Sequence, residues 1–335
     1  MNKEEKPTIP NLFSFATSEL SQDAFFAWLM SWADPFYEKF DDSLHVVAQD
    51  FIRLLLDEEK FETKKISIKS QSNNIDLLAE INNDTILIIE DKIDTSVHDD
   101  QLNRYRKIVE EEYKTKELKF AYIKIIDEPN LVKKKIESKE KYKYISRRDL
   151  IDCLNTYKGE NRILKDYLEH ISKIEEATQV YKTKPISEWG NDGWKGFYKA
   201  LEDAVNDKEP KWGYVPNETG GFLGFWWYFT DIPEGKIYLQ FEEKDDLRIK
   251  VYHTNPISTH TVFRNNIYDI IKNKLGDIKP KRFGTGETMT VAVIRDIDIK
   301  SKLINLKEFI KEYEKIVDDI ASELNKNARI KISSA

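Results

Sequence analysis

The chain of 335 residues has a single cysteine, Cys153, so it cannot form an internal disulfide. Its five histidines and one cysteine nowhere fall together at ligand spacing, which leaves no zinc site to be read. No apolar run approaches membrane-spanning length, and FLGFWWYF at 222–229 is far too short. The opening MNKEEKPTIP lacks the apolar stretch of a secretory signal, so a cytoplasmic protein without a membrane partner is expected. There is no repeat of fixed period and no low-complexity tract.

What remains is the composition of a soluble globular protein, with 34% charged and 40% hydrophobic residues. The length suggests two domains, each able to bury a core. A formal net charge of −7 argues against a surface that coats nucleic acid everywhere, but leaves room for a local basic groove.

The periodicity predicts helices over about 18–32 and 43–57, the first ended by Asp34-Pro35. The pattern then turns strand-like in FETKKISIKS (61–70), NNIDLLAEI (73–81) and TILIIEDK (85–92), separated by Asn- and Asp-rich turns. Asp99 or Asp100 can cap a helix carrying Leu102, Tyr105, Ile108, Val109 and Tyr113. A fourth strand, ELKFAYIKII (117–126), a short fifth, YKYIS (142–146), and helices from Ser146 and near 160–179 complete this half. The first three strands suit an antiparallel meander, and the third and fourth a parallel crossover.

Pro185, Gly190 and Gly193 break the pattern in YKTKPISEWGNDGW (181–194), which places the expected domain boundary there, between 1–183 and 184–335. Beyond it the sequence predicts a helix near 192–206, strands near 211–216, 221–230, 235–243 and 246–253, and a helix near 258–275 capped by Ser258 and stopped by Gly276. A strand at 288–296 and an amphipathic helix at 301–325 follow, giving an antiparallel α+β domain.

Asp76 sits inside the apolar NIDLLAEI, where strands disfavour aspartate; alone it reads as a strand-edge residue facing solvent. The next strand changes that reading. A short turn brings Asp76 near the end of TILIIEDK, where alternation sets Glu90 and Lys92 on one side and Asp91 on the other. Converging carboxylates repel unless a cation separates them, and a hard divalent ion with oxygen ligands fits. The plain alternative is a Glu90–Lys92 pair on a solvated strand end.

NID followed after a hairpin by ILIIEDKI resembles the PD-(D/E)XK nuclease motif, with Asp76 as its aspartate, Glu90-Asp91-Lys92 as E-x-K, and Ile75 where the motif often has proline. DDQLNRY resembles the Gln-x-x-x-Tyr signature of several branches, here Gln101 and Tyr105. NLFSFATSELSQDAFFAWLM resembles the N-terminal helix of the branch with an early glutamate, here Glu19. The resemblance covers roughly the first half of the chain. It implies an αβββαβ restriction-endonuclease-like core with a mixed sheet, an α/β (α+β) fold class, and Mg²⁺- or Mn²⁺-dependent phosphodiester hydrolysis on DNA, with RNA as the second candidate.

On this resemblance Asp76 and Glu90 would bind metal, the Asp91 carbonyl could be a further ligand, and Glu19 would complete the metal shell or hold a metal-bound water. Lys92 would orient water and stabilise charge, Gln101 would hydrogen-bond a metal water or substrate phosphate, and Tyr105 would support its helix. Relatives of this branch often serve genome defence, which implies foreign DNA as target. A homodimer and a non-catalytic binding module on the same fold stay open.

Other residues carry weaker readings. Asp23, four after Glu19, could share its helix face but reads as a surface or capping aspartate, and His98 reads as an exposed histidine at the start of a helix rather than a general base. Arg104, Arg106 and Lys107 could touch phosphate but read as a solvated face. GGFLGFWWYFT (220–230) reads as a central strand buried on both sides rather than a base-stacking platform. In KPKRFGTGET (279–288), Lys279, Lys281 and Arg282 adjoin a Gly-x-Gly turn that could hold a phosphate, beside the plain reading of a basic turn.

Overall fold

The structure, a computed structural model, describes residues 10–72, 75–95, 100–205, 210–217, 220–243, 246–254, 260–284, 286–295, 297 and 305–333. The chain divides into two compact units, Met1–Ala177 and Thr178–Ala335.

The first unit opens with α1 (Glu19–Ser31) and α2 (Asp42–Leu56). Ser18 starts α1 by accepting a hydrogen bond from Ser21 N, and Asp41 starts α2 by accepting one from Leu44 N. Asp57, in the left-handed region at φ 59°, closes α2. Strands β1 (Ile66–Ser72), β2 (Ile75–Ile81) and β3 (Thr85–Lys92) form the expected antiparallel meander. Helix α3 (Gln101–Glu112) then carries the chain across to β4 (Glu117–Lys124), parallel to β3, and β5 (Lys143–Ser146) adds a second parallel pair. The sheet order is β1-β2-β3-β4-β5, which makes β3 the central strand, and all eight of its residues are buried.

Each sheet face has its own core. Leu77, Ala79, Leu87 and Ile89 pack with α1 and α2, and with Leu150, Leu164 and Tyr167 from α5 (Arg147–Leu154) and α6 (Arg162–Gln179). Leu78, Ile86, Ile88 and Tyr122 pack with Leu102, Tyr105 and Val109 of α3 on the opposite face. The Ser146–Asp149 capping box starts α5, as the sequence indicates for Ser146. Asp100 stands at the N-cap of α3 in the left-handed region, but its side chain makes no capping bond; Asp99 lies outside the described residues. Helix α4 (Asn130–Lys135) and the π-helical turn after it, Ile136–Glu140, were not expected, because lysines crowd this stretch and only Ile136 and Glu140 are buried.

The second unit is a five-stranded antiparallel sheet with helices against one face. Helix α7 (Gly190–Ala204) precedes β6 (Lys211–Asn217), β7 (Gly220–Ile232), β8 (Gly235–Glu242) and β9 (Asp246–His253). Helix α8 (His260–Leu275), β10 (Thr288–Ile294) and α9 (Leu306–Ser333) follow, in sheet order β10-β9-β8-β7-β6. The last helix runs past the expected end at 325. Gly276, at φ 81°, ends α8, while Ser258 lies outside the described residues.

Strand β7 corrects the expectation of a central strand buried on both sides. It is second from the edge, and Leu223, Phe225 and Trp227 enter the core while Phe222 and Trp226 are only half-buried. A bulge between Trp227 and Thr230, with Tyr228 at φ 60°, turns the Tyr228 hydroxyl to the Asp318 carboxylate at 2.7 Å. No helix among the described residues is long and apolar enough to cross a membrane.

Candidate active site

The C-terminal end of β3 presents Glu90 and Lys92 to the α3 side of the sheet, and Asp76 reaches the same point from β2. Lys92 Nζ lies 2.5 Å from Glu90 Oε1, 3.6 Å from Asp76 Oδ2 and 3.9 Å from Glu19 Oε2. It also donates to the Asp91 carbonyl at 3.0 Å. Strand geometry explains the convergence: Glu90 and Lys92 are two residues apart, and the β2–β3 register sets Leu77 opposite Ile89, one step from Asp76 and Glu90. Asp76 is fixed by accepting from Asp91 N at 3.1 Å.

Glu19 arrives from the first turn of α1, where a carboxylate suits the helix dipole. Its Oε1 accepts from Ile93 N at 3.1 Å and from Thr95 Oγ1 at 2.7 Å, so it reaches the strand end. Lys124, opposite Lys92 on β4, donates to the Thr95 carbonyl at 2.6 Å and steadies that segment. Gln101, the first residue of α3, donates to Glu90 Oε1 at 2.7 Å and to the Tyr105 hydroxyl at 2.9 Å. Tyr105 is buried in the core between α3 and the sheet.

Asp23 is where the sequence reading fails. It is not a surface or capping residue: it is 3% exposed, accepts from Gln71 Nε2 at 3.2 Å, and its Oδ1 is buried with no partner. Burial first, then the charge of Asp76, pushes its pKa up to about 7. Gln22 was missed as well. It donates to both Asp91 carboxylate oxygens at 2.7 Å and accepts from the Tyr167 hydroxyl at 2.9 Å. The signal was present, since Glu19, Gln22 and Asp23 fall at i, i+3 and i+4 on one helix face.

The electrostatics follow from this crowding. Burial, then Asp76, pushes the Glu90 pKa up to about 7. Asp91, on the other sheet face, is raised well above the usual range by burial, although Gln22 opposes the shift. Burial alone would lower Lys92, but Glu90, Asp76 and Glu19 outweigh it and hold the ammonium charged.

Other expected residues lie elsewhere. Arg104 is exposed on α3, its guanidinium 5.6 Å from the Tyr105 ring. The Arg106 guanidinium donates to the carbonyls of Glu140 and Lys141, a structural use in place of the phosphate contact considered for it. His98 lies outside the described residues. Lys281 and Arg282 are exposed in the second unit.

Among the described residues no three His, Cys, Asp or Glu side chains stand ready as metal ligands. The reason is visible in the distances: the Lys92 ammonium lies among the carboxylates that a cation would share. The donors nevertheless fit a hard divalent ion. They are carboxylate oxygens in excess of the local positive charge, and Glu90 Oε2 and Gln101 Oε1 are buried without partners. Asp76 and Glu90 would hold such an ion, with Glu19 and the Asp91 carbonyl beside them.

A central strand ending in E-x-K, a neighbouring aspartate and a covering helix with Gln-x-x-x-Tyr define the class of site. A family model of the PD-(D/E)XK nuclease superfamily matches residues 10–183, just over half of the chain. The chain belongs to that superfamily. Searches of curated proteins and of solved structures returned no match.

Proposed function

We propose that the first unit is a DNA-cleaving phosphodiesterase dependent on Mg²⁺ or Mn²⁺, acting within the chain of its substrate, with foreign DNA as the target. The observation that supports this most is the meeting of Asp76, Glu90 and Glu19 at the Lys92 ammonium, under the Gln101 amide. Hydrolysis adds water to phosphorus and releases an alkoxide, so negative charge grows on the phosphoryl oxygens in the transition state. The Lys92 ammonium offers a fixed positive charge at this position, where it is worth more than in water. A divalent ion held by Asp76 and Glu90 would supply Lewis acidity and an acidified water.

The protein's own groups supply the positioning. Gln101 fixes the Glu90 carboxylate, and Ile93 N with Thr95 Oγ1 fixes Glu19. Tyr105 holds the Gln101 amide from below. Such constraint matters because small displacements at a reacting centre are costly in rate.

The test is cleavage of plasmid, linear duplex and single-stranded DNA, and of RNA, with Mg²⁺ or Mn²⁺ added and then removed by chelation. Metal-dependent nicking of closed circular plasmid supports the proposal. Degradation of RNA alone makes the unit an RNA nuclease. Metal-independent binding of every substrate with no cleavage makes it a binding module.

A further inference from the structure

The second unit contains a cleft of about 440 Å³ lined by Arg248, Lys281, Arg282, Arg295, Thr288 and Thr290, with no acidic residue in its lining among the described residues. In a chain of net charge −7 this concentration of positive charge needs a physical account. Like charges gathered in a concavity repel one another, and the arrangement raises the local concentration of anions.

We infer that this cleft is a phosphate-binding site, taking the phosphate groups of a nucleic-acid strand or of a small phosphorylated molecule. Three separate segments build it. Arg248 comes from β9, Lys281 and Arg282 from the loop after α8, and Arg295 from the end of β10. A bulge between Thr290 and Ala292 brings the last of these into place. Before it, Thr290 pairs with Lys250; after it, Val293 pairs with Arg248. The extra residue shifts the alternation, so Arg295 follows Thr288 and Thr290 onto the cleft side instead of the core side.

The loop is fixed from behind. Arg264 Nη1 donates to the Gly284 carbonyl at 2.7 Å, and its guanidinium lies 4.5 Å from the Phe283 ring centroid. Tyr268 meets Phe283 edge-on at 5.4 Å, and its hydroxyl bonds the Asp277 carboxylate. Phe283 is thereby fixed beside Arg282 and Lys281, which stay exposed and, among the described residues, have no ion-pair or hydrogen-bond partner. Arg248 is already oriented by Glu242 at 2.7 Å, and Arg295 donates to the Lys279 carbonyl at 3.3 Å. Two guanidinium groups held by other contacts, two cations at liberty and two threonine hydroxyls suit a ligand with several acceptor oxygens.

The test uses the full chain in chelator, so that cleavage plays no part and the fate of the nuclease proposal does not enter. Calorimetric titration with inorganic triphosphate is compared with sulfate at matched ionic strength, for the parent, K281E/R282E, R295E and the milder K281Q/R282Q. Triphosphate should bind the parent more tightly than sulfate. Both charge reversals should lose at least tenfold in affinity at unchanged melting temperature, and K281Q/R282Q should fall between them and the parent. If a reversal fails to fold, the glutamine pair carries the test. A single-stranded oligonucleotide that displaces triphosphate identifies strand phosphates as the source; one that leaves it bound identifies a small phosphorylated molecule, and either result upholds the site. Triphosphate that binds no better than sulfate, or equally well to parent and glutamine pair, overturns the inference.

Discussion

The side-chain amide of Gln101 donates to Glu90 Oε1 at 2.7 Å while its own oxygen, buried, has no partner among the described residues. The first residue of a surface helix thus fixes a carboxylate that is itself 0% exposed. Hydrogen bonds to charged groups contribute about 1.5–3 kcal/mol. Gln101→Ala should therefore slow cleavage on the order of ten- to a hundredfold with the fold retained, as read by initial rates and circular dichroism. A variant as active as the parent would show that Glu90 needs no support from α3.

Arg147 makes a stability prediction away from the site. It is 4% exposed and bridges Asp127 Oδ2 at 2.8 Å and Glu175 Oε2 at 2.7 Å, and it also donates to the Ile125 carbonyl. Arg147→Ala leaves the Ile125 carbonyl without its donor, while Asp127 and Glu175, both partly exposed, keep access to water and Glu175 keeps Arg148, so the loss should be about 1–3 kcal/mol. Denaturant unfolding of the first unit should shift by this order. The exposed Arg148, whose side chain also meets Glu175, should cost less on the same substitution, at about 0–1 kcal/mol.

His170 supplies a pH dependence. Burial, with Lys173 adding to it, lowers its pKa below the ordinary 6.5. A base with a lowered pKa binds fewer protons folded than unfolded, so its contribution to stability rises with pH. That contribution is full above about 6.5 and is lost as pH falls from there through the lower folded value. Melting temperatures of parent and His170→Gln, taken from pH 8 to 5, should converge toward the acid end relative to their difference at pH 8. Parallel curves would show that His170 titrates alike in both states.

The strands of both units were legible because their apolar runs are short and bounded by turn residues. TILIIEDK is the plainest case: a short apolar run between an Asn-Asp turn and a charged end reads as a strand, and in the structure all eight of its residues are buried. Asp76, Glu90 and Lys92 could be grouped because strand alternation and a short turn fix their side and level. Asp23 shares a helix face with Glu19 in the sequence, but an aspartate near a helix start looks the same whether it caps, faces solvent or is buried, and the tertiary packing of α1 decides. The cationic cleft was half visible. Lys281 and Arg282 stood out in the sequence, whereas Arg248 and Arg295 join them through a sheet register and a bulge that no local pattern announces.

The central claim is that Lys92 acts on the reaction and not on metal retention. It is tested most directly by Mn²⁺ titration calorimetry run beside plasmid cleavage for the parent, Lys92→Ala and Asp76→Ala. Lys92→Ala removes the ammonium but keeps Asp76, Glu90 and Glu19, so metal should still bind, with the carboxylates freed from a competing cation. Its turnover should fall by about 2.7–4 kcal/mol in barrier terms, on the order of a hundred- to a thousandfold. Asp76→Ala should lose affinity for the metal itself. Cleavage by Lys92→Ala at the parental rate, or loss of metal binding in that variant with Asp76→Ala still binding, would contradict the account.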